Sequence, residues 1–373
     1  MQGSTHREQA VEKFAVLDSD IDALSLNPRN DDSMTYSETI TFKLRPEHGN
    51  GPLVVDLFAG CGGLALGFEA QGFQTLGYEM DDDCCASYRT NLRGTCKQEL
   101  LSPDTALPSA PVLIGGPPCQ PFSVNGHQKG LKDSRDGFPT FIAAVAKLQP
   151  EIWMFENVRG MLYGNRRYFE EIIAALGDLG YIVEYELLNA VDFGVPQNRE
   201  RIIVVGHRGE FSFPMKIQPR VTAGEALGTL MSGVPEGSRF LTASMDSYVA
   251  RYEKASACIR PRDLHPELPA RTLTCRNLAG ATGDMHRIRL PDGRRRRLVA
   301  REAARLQSFP DWFEFVGSEG SVFKQIGNAV APLFAFHLAA SVRDYLLSHQ
   351  RMDSETIRRQ RLPRQAELIA VEL

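Results

Sequence analysis

The chain has 373 residues, 43% of them hydrophobic and 24% charged, with a formal net charge of −4; that length allows two domains, and the composition is that of a globular protein with a sizeable core. No apolar run approaches the roughly 20 residues that span a bilayer, and the first twenty residues lack a signal-peptide core, so neither a membrane protein nor a secreted one is expected. The seven cysteines show no metal-ligand spacing, which points to a cytoplasmic chain with reduced thiols and no metal.

Residues 1–50 carry five Lys/Arg against nine Asp/Glu and read as an acidic extension with at most one helix, near 7–17. From Leu53 the pattern becomes an alternation of strands and helices. Strands are predicted at 53–57, 75–79, 112–114, 152–155, 181–188 and 201–205, with helices at 63–71, 82–92, 140–148 and 168–179. Such alternation predicts an α/β domain over 51–208, its mostly parallel sheet covered on both faces. After His207 the alternation stops. Residues 209–300 are rich in Gly, Pro and Arg and read as a smaller, irregular, β-rich domain, with Pro291-Asp292-Gly293 as a turn between two strands. Between 251 and 306 there are fourteen Lys/Arg against six Asp/Glu. Residues 301–350 look helical and return to the first domain, leaving 351–373 as a tail.

Chemistry concentrates where these strands end. Cys119 follows Pro117-Pro118 after the run 111–114, so two prolines force a fixed turn and hold a thiol at the carboxyl edge of the sheet. Gln120 and Ser123 beside it favour a nucleophile over a buried structural cysteine. The loop Asp56-Leu57-Phe58-Ala59-Gly60-Cys61-Gly62-Gly63 joins the first strand to a helix, where glycines admit a ligand to the backbone and to the free helix N–H groups. Glu79 ends the next strand, placed to hold ribose hydroxyls. Because Gly60, Gly62 and Ala65 satisfy a loose dinucleotide fingerprint, this loop alone leaves NAD and S-adenosylmethionine both open. Downstream, Glu156-Asn157 ends the strand at 152–155, and Arg199 and Arg201 open the one at 201–205. A thiol, an acid and an arginine at successive strand ends match what a cytosine ring needs for attack at C6.

These blocks, with Arg301-Glu302-Ala303-Ala304-Arg305-Leu306-Gln307-Ser308-Phe309 and Gln325-Ile326-Gly327-Asn328-Ala329-Val330, resemble those of bacterial DNA (cytosine-5) methyltransferases of the restriction-modification type, in order and from Leu53 to about Leu346. The resemblance implies a Rossmann-like S-adenosylmethionine-dependent fold plus a small target-recognition domain. It implies that Cys119 attacks C6 of cytosine and makes C5 nucleophilic. Glu156 would hydrogen-bond or protonate N3, Arg201 would sit on O2, and Arg199 and Asn157 would complete the site. C5 would then take the sulfonium methyl, and loss of its proton would expel the thiol. Positively charged neighbours would raise the thiolate fraction of Cys119. The cofactor set carried over is Phe58, Ala59, Gly60, Cys61, Gly62, Gly63, Glu79, Met80, Glu99, Leu100, Pro118 and Asn328; the Phe58 ring suits a sulfonium, though a core role is equally open. The chain departs from the family pattern at Met80, where the family often has Trp, and at Glu99-Leu100, where it usually has Asp-Ile.

C6 is unreachable in a stacked duplex, so the target base must be flipped out. Residues 123–137 read as a loop closing over DNA, with Ser123, Lys129 and Arg135 as contacts. Arg260, Arg262, Arg271 and Arg276 are candidates for base reading in the small domain, and the basic run 287–297 for phosphates. The expected partner is double-stranded DNA, the expected state a monomer, and a restriction endonuclease of the same specificity is a natural companion. A transfer-RNA cytosine-5 methyltransferase, a catalytically dead DNA-binding regulator and an NAD dehydrogenase are the alternatives; the last leaves the Pro-Pro-Cys and Gln-Asn-Arg-Glu-Arg blocks unexplained.

Overall fold

The computed structural model describes residues 34–46, 50–119, 136–217, 219–255, 262–280 and 283–361, with 350–361 by backbone alone. Short apolar runs become the strands β1 (Leu53–Leu57), β2 (Gln74–Glu79), β3 (Thr95–Gln98), β4 (Val112–Gly115), β5 (Ile152–Val158), β6 (Ile182–Asn189) and β7 (Glu200–His207) of one sheet, in the order β3-β2-β1-β4-β5-β7-β6. The pairs among β1 to β5 are parallel, while β7 runs antiparallel between β5 and β6. This reversal matters for the site. It sets Arg201 opposite Val158 and Leu188, so the amino end of β7 lies beside the carboxyl ends of the other strands.

All four residues of β4 are buried, as a strand covered on both faces requires. Adjacent residues serve opposite sides. Val54, Ile114 and Met154 pack with Phe68, Leu338 and Val342, whereas Val55, Leu113, Trp153 and Phe155 pack with Phe141, Phe169 and Ile172. The helices Gly63–Glu69, Asp82–Asn91, Phe138–Leu148 and Arg166–Gly177 occupy the expected intervals. Asp81 caps the second of these, its Oδ1 accepting from the Cys84 N–H at 3.1 Å. The helix Pro332–Arg361 lies against Gly63–Glu69, and the two approach at Gly67, where a Cβ would come within 2.4 Å of the Ala335 carbonyl carbon. Counted together, Glu319–His349 is long and apolar enough to cross a bilayer, which the reading of the sequence overlooked; 67% of its most apolar window is buried in the protein.

Two elements at the edges of the α/β domain were not anticipated. β3 is an edge strand with one buried residue in four, too polar to stand out. The helix Tyr36–Lys43 starts in a capping box between Thr35 and Glu38 and buries Ile40. It is pinned by Trp312, whose Nε1–H donates to the Thr41 carbonyl at 3.3 Å. The helix expected near 7–17 lies outside the described residues.

In the 209–300 region, β8 (Arg287–Arg289) and β9 (Arg295–Arg297) form an antiparallel hairpin turning at Gly293, φ 88°, as the Pro-Asp-Gly signal predicts. Helices Ala223–Leu227, Ala243–Ala255 and Cys275–Ala279 fill more of the region than strands do. Its apolar residues Leu227, Leu273, Ile288 and Leu298 share one cluster with Ala65, Tyr88 and Ile326.

Candidate active site

β4 ends at Gly115, and Pro117 and Pro118, lacking N–H groups, take the chain out of the sheet. The turn is then held from two sides. Pro118 O accepts from the Gly137 N–H at 2.9 Å, and Cys119 forms a single antiparallel bridge with Asp136. From β5, Asn157 donates Nδ2–H to Pro117 O at 2.8 Å, and its Oδ1 accepts from the Cys119 thiol at 3.1 Å. One residue earlier, Glu156 Oε1 meets Arg201 Nε at 2.7 Å, and each side chain is only 12% exposed. The structure thus brings Cys119, Glu156, Asn157 and Arg201 together at one sheet edge.

Burial pushes the Cys119 thiol up; its own backbone N–H pulls the other way, and the Asp136 and Glu156 carboxylates push it up further. The charges acting on the thiol are acidic, a correction to the positive neighbours expected above, because the guanidinium of Arg201 is committed to Glu156. Behind the turn, the Tyr168 hydroxyl donates to Asp136 Oδ2, and Asp136 Oδ1 accepts from the Phe138 N–H at 3.1 Å. This buried pair escaped the reading of the sequence, which named neither Asp136 nor Tyr168 at the site.

Arg199 is buried and works at one remove from the thiol. Its guanidinium donates to the carbonyls of Leu273 at 2.8 Å, Gly327 at 3.0 Å and Ala329 at 2.9 Å. That grip fixes the backbone on both sides of Asn328, an exposed residue.

Left-handed conformations crowd the adjoining loop: Phe58 has φ 59°, Gly60 55° and Gly62 90°. For a bulky residue such as Phe58 this costs of order 1 kcal/mol or more and marks a constrained site. Its ring lies over the cysteine turn, since a Cβ on Gly137 would come within 3.0 Å of Phe58 Cζ and 2.4 Å of Pro118 Cδ. Among the described residues a Cβ on Gly60 would meet nothing within 4 Å, whereas one on Gly63 would sit 2.4 Å from the Val330 carbonyl oxygen. Glu79 ends β2 with Oε2 accepting from the Gly60 N–H at 2.9 Å and Oε1 accepting from the Met80 and Asp81 N–H groups, each at 2.9 Å. The Glu99 N–H donates to Glu79 O at 2.8 Å; Met80 and Leu100 are exposed beside it, and the Cys61 thiol is buried, facing Gln325 O at 4.0 Å. Below the loop Asp56 is buried with Oδ2 lacking a hydrogen bond among the described residues. Burial, and then the Glu79 charge, push its carboxyl up to about 8. The Glu79 carboxylate, the Phe58 ring and the backbone at Gly60 are the groups that would hold a cationic nucleoside here.

Of the residues expected at DNA, Ser123, Lys129, Arg135 and Arg260 lie outside the described residues. Arg262 and Arg271 both pair with Asp284, at 2.9 and 3.4 Å. Arg276 is exposed on the helix Cys275–Ala279. The basic run 287–297 is corrected as a phosphate track. Arg287 is fully buried between Asp263 at 2.7 Å and Glu253 at 2.8 Å, Arg295 reaches Asp263 at 2.9 Å, and Arg296 is fully buried against Glu302 at 2.6 Å. A guanidinium removed from water needs a carboxylate, which Glu253 and Asp263 supply from well upstream and Glu302 from six residues on. Arg289 and Arg294 keep exposed positions.

Comparison with known proteins gives a consistent result. Residues 53–344 match the family described as C-5 cytosine-specific DNA methylase. The Type II methyltransferase M.AplI of Arthrospira platensis is 57% identical over 304 residues, covering 81% of this chain and 88% of that protein. M.NgoFVII of Neisseria gonorrhoeae, also a Type II methyltransferase, is 32% identical, covering 79% and 87%. Among solved structures, the methyltransferase EhMeth of Entamoeba histolytica superposes with a TM-score of 0.62 at 16% identity, covering 79% of this chain and 98% of that one. The S. pombe methyltransferase Dnmt2 gives 0.54 at 16%, covering 79% and 99%. At such identities the two structures speak for the fold alone.

Proposed function

The chain belongs to the C-5 cytosine-specific DNA methylase family, and on that premise we infer that it methylates C5 of cytosine in double-stranded DNA as the modification enzyme of a restriction-modification system. The observation carrying the reading is the meeting of Cys119, Asn157, Glu156 and Arg201 at one edge of the sheet. Attack on C6 needs a nucleophile and, beside it, groups that meet the charge the attack creates.

Cys119 is the nucleophile. Burial and the neighbouring carboxylates push its thiol up, so it starts as the thiol donating to Asn157 Oδ1 and gives up that proton as the sulfur bonds to C6. Glu156 faces N3 of the ring and Arg201 faces O2, and their ion pair fixes the spacing between acid and cation. Arg199 positions the Asn328 segment. The flipped base stands where the cysteine turn and the end of β5 meet.

S-adenosylmethionine, when bound, supplies an electrophilic methyl group on a sulfonium. Phe58 offers that cation an aromatic face, and Ala59, Gly60, Cys61, Gly62 and Gly63 offer backbone. Glu79 takes ribose hydroxyls. Met80, Glu99, Leu100, Pro118 and Asn328 complete the walls. Residues 209–300 read the target sequence, with Arg276 free to reach it and Arg262 and Arg271 shaping the surface through Asp284. The protein acts as a monomer in the cytoplasm, beside an endonuclease of the same specificity.

The test is incubation with tritiated S-adenosylmethionine and either unmethylated DNA or transfer RNA. Label should enter DNA as 5-methylcytosine; label in transfer RNA alone, or in neither, overturns the reading.

A further inference from the structure

We propose that Ser87, seconded by Asn91, is a positioning residue for the methyl-donor site, locking the wall that carries Glu79 to the wall that carries Asn328. The proposal rests on the methyl-donor reading given above. On the helix Asp82–Asn91, the polar residues Asp83, Ser87 and Asn91 are spaced four apart and so share one face. A solvated face would be the ordinary expectation. Instead all three meet a single stretch of chain running in the opposite sense.

Asn91 donates Nδ2–H to Glu314 O at 2.7 Å, while its Oδ1 accepts from the Glu314 N–H, also at 2.7 Å. Ser87 Oγ accepts from the Val316 N–H at 2.8 Å and donates to Gln325 Oε1 at 2.7 Å. Gln325 closes the ring by donating Nε2–H to Val316 O at 2.8 Å. Asp83 lies against Gly317, where a Cβ would fall 2.3 Å from Asp83 Oδ2 and whose φ of 113° favours glycine. At the head of the helix, Lys324 Nζ reaches Asp81 Oδ2 at 2.9 Å.

What this stripe joins gives it a role. The N-cap of the helix, Asp81, stands two residues after Glu79, whose carboxylate accepts from the Met80 and Asp81 N–H groups. The residues it meets lead directly into the helix Glu319–Asn328. On its far side the same segment is held by Arg199 through Gly327 and Ala329. Asn328 is therefore fixed from the catalytic strand by Arg199 and from the Glu79 wall by Ser87 and Gln325. Both residues of the Ser87–Gln325 link are buried, so loss of the hydroxyl leaves Gln325 Oε1 and the Val316 N–H each without that partner.

The experiment uses the full chain. Binding of S-adenosylhomocysteine is measured by titration calorimetry, and initial rates are measured with S-adenosylmethionine and unmethylated phage DNA. Ser87→Ala should raise the Kd for S-adenosylhomocysteine and the KM for S-adenosylmethionine about tenfold, with kcat at saturating donor and DNA affinity changed less than about twofold. Ser87→Thr, which keeps the oxygen, should recover most of the loss. Asn91→Ala, at a half-buried position, should give about a threefold rise in a protein that still folds. Unchanged donor affinity in both alanine variants overturns the proposal. So does a fall in kcat and DNA affinity that tracks lost thermal stability. A wild-type protein that binds no S-adenosylhomocysteine would instead remove the methyl-donor reading beneath it.

Discussion

Glu156 and Arg201 form one ion pair at the mouth of the sheet, each partly open to solvent, while Arg296 and Glu302 form one in the hairpin region with no exposure at all. The chemistry is alike and the settings differ. At the sheet edge the partners come from adjacent strands β5 and β7 and face the space where a base would sit. In the hairpin region Arg287, Arg295 and Arg296 are linked to acids at 246, 253, 263 and 302, and the charges are used to build the region. A pair left open can act on a ligand. A closed pair holds the fold and makes its removal costly.

The largest expected effect comes from Cys119, the proposed nucleophile. Cys119→Ser should lower methyl transfer by at least about a thousandfold with DNA affinity retained in gel-shift assays; DNA bearing 5-fluorocytosine should trap a covalent adduct on the wild type and none on the variant. Turnover near normal would refute the assignment. The two ion pairs should then separate cleanly. Arg201→Ala should cost about a hundredfold in kcat with little change in melting temperature, whereas Arg296→Met strands a buried carboxylate and should cost about 3–5 kcal/mol in denaturant unfolding. Replacing Glu302 by Leu in the same protein should return much of that stability. If Arg201→Ala proves the more destabilising, the contrast is wrong.

Asp56 sharpens the comparison from another side, being a buried acid without the partner that Glu302 has. Its folded value of about 8 stands above the roughly 3.9 of an unfolded Asp. The folded state therefore binds more protons between those values. The stabilisation is full below about pH 4 and is lost as pH rises through about 8. Melting temperature should decline over that window, and Asp56→Asn should flatten the decline; an unaltered profile refutes the shift. The smallest effect belongs to Arg294, exposed and paired with its neighbour Asp292 at 2.7 Å. Arg294→Ala should leave stability alone and reduce the slope of log affinity against log salt by about one; an unchanged slope would show that this surface does not reach the DNA backbone.

Much of the site was legible because the fold constrains where it can be. Contiguous apolar runs such as 112–114 and 152–155, short and set between helical stretches, read as buried strands, and the polar residues that follow them, Cys119 and Glu156, then fall at one edge. Arg201 was legible for the same reason, although the reversal of β7 that brings it there is not written in its own run of residues. The rest depended on pairing across the chain. Nothing near Arg287 announces Glu253, and nothing near Ser87 announces Gln325. The four-residue spacing of Asp83, Ser87 and Asn91 was visible, but such a stripe reads as solvated until its partner segment is known. β3 and the helix Tyr36–Lys43 were missed because each buries a single residue within its own bounds.

The close approach of Gly63 to the Val330 carbonyl has a temporal consequence. A ribosome delivers the Gly60 loop early and the 314–330 stretch late, so the growing polypeptide emerges with one side of that loop uncovered. The contact with Val330 forms only after the late stretch leaves the exit tunnel and docks, so nascent chains stalled upstream of it should be inert in methyl transfer.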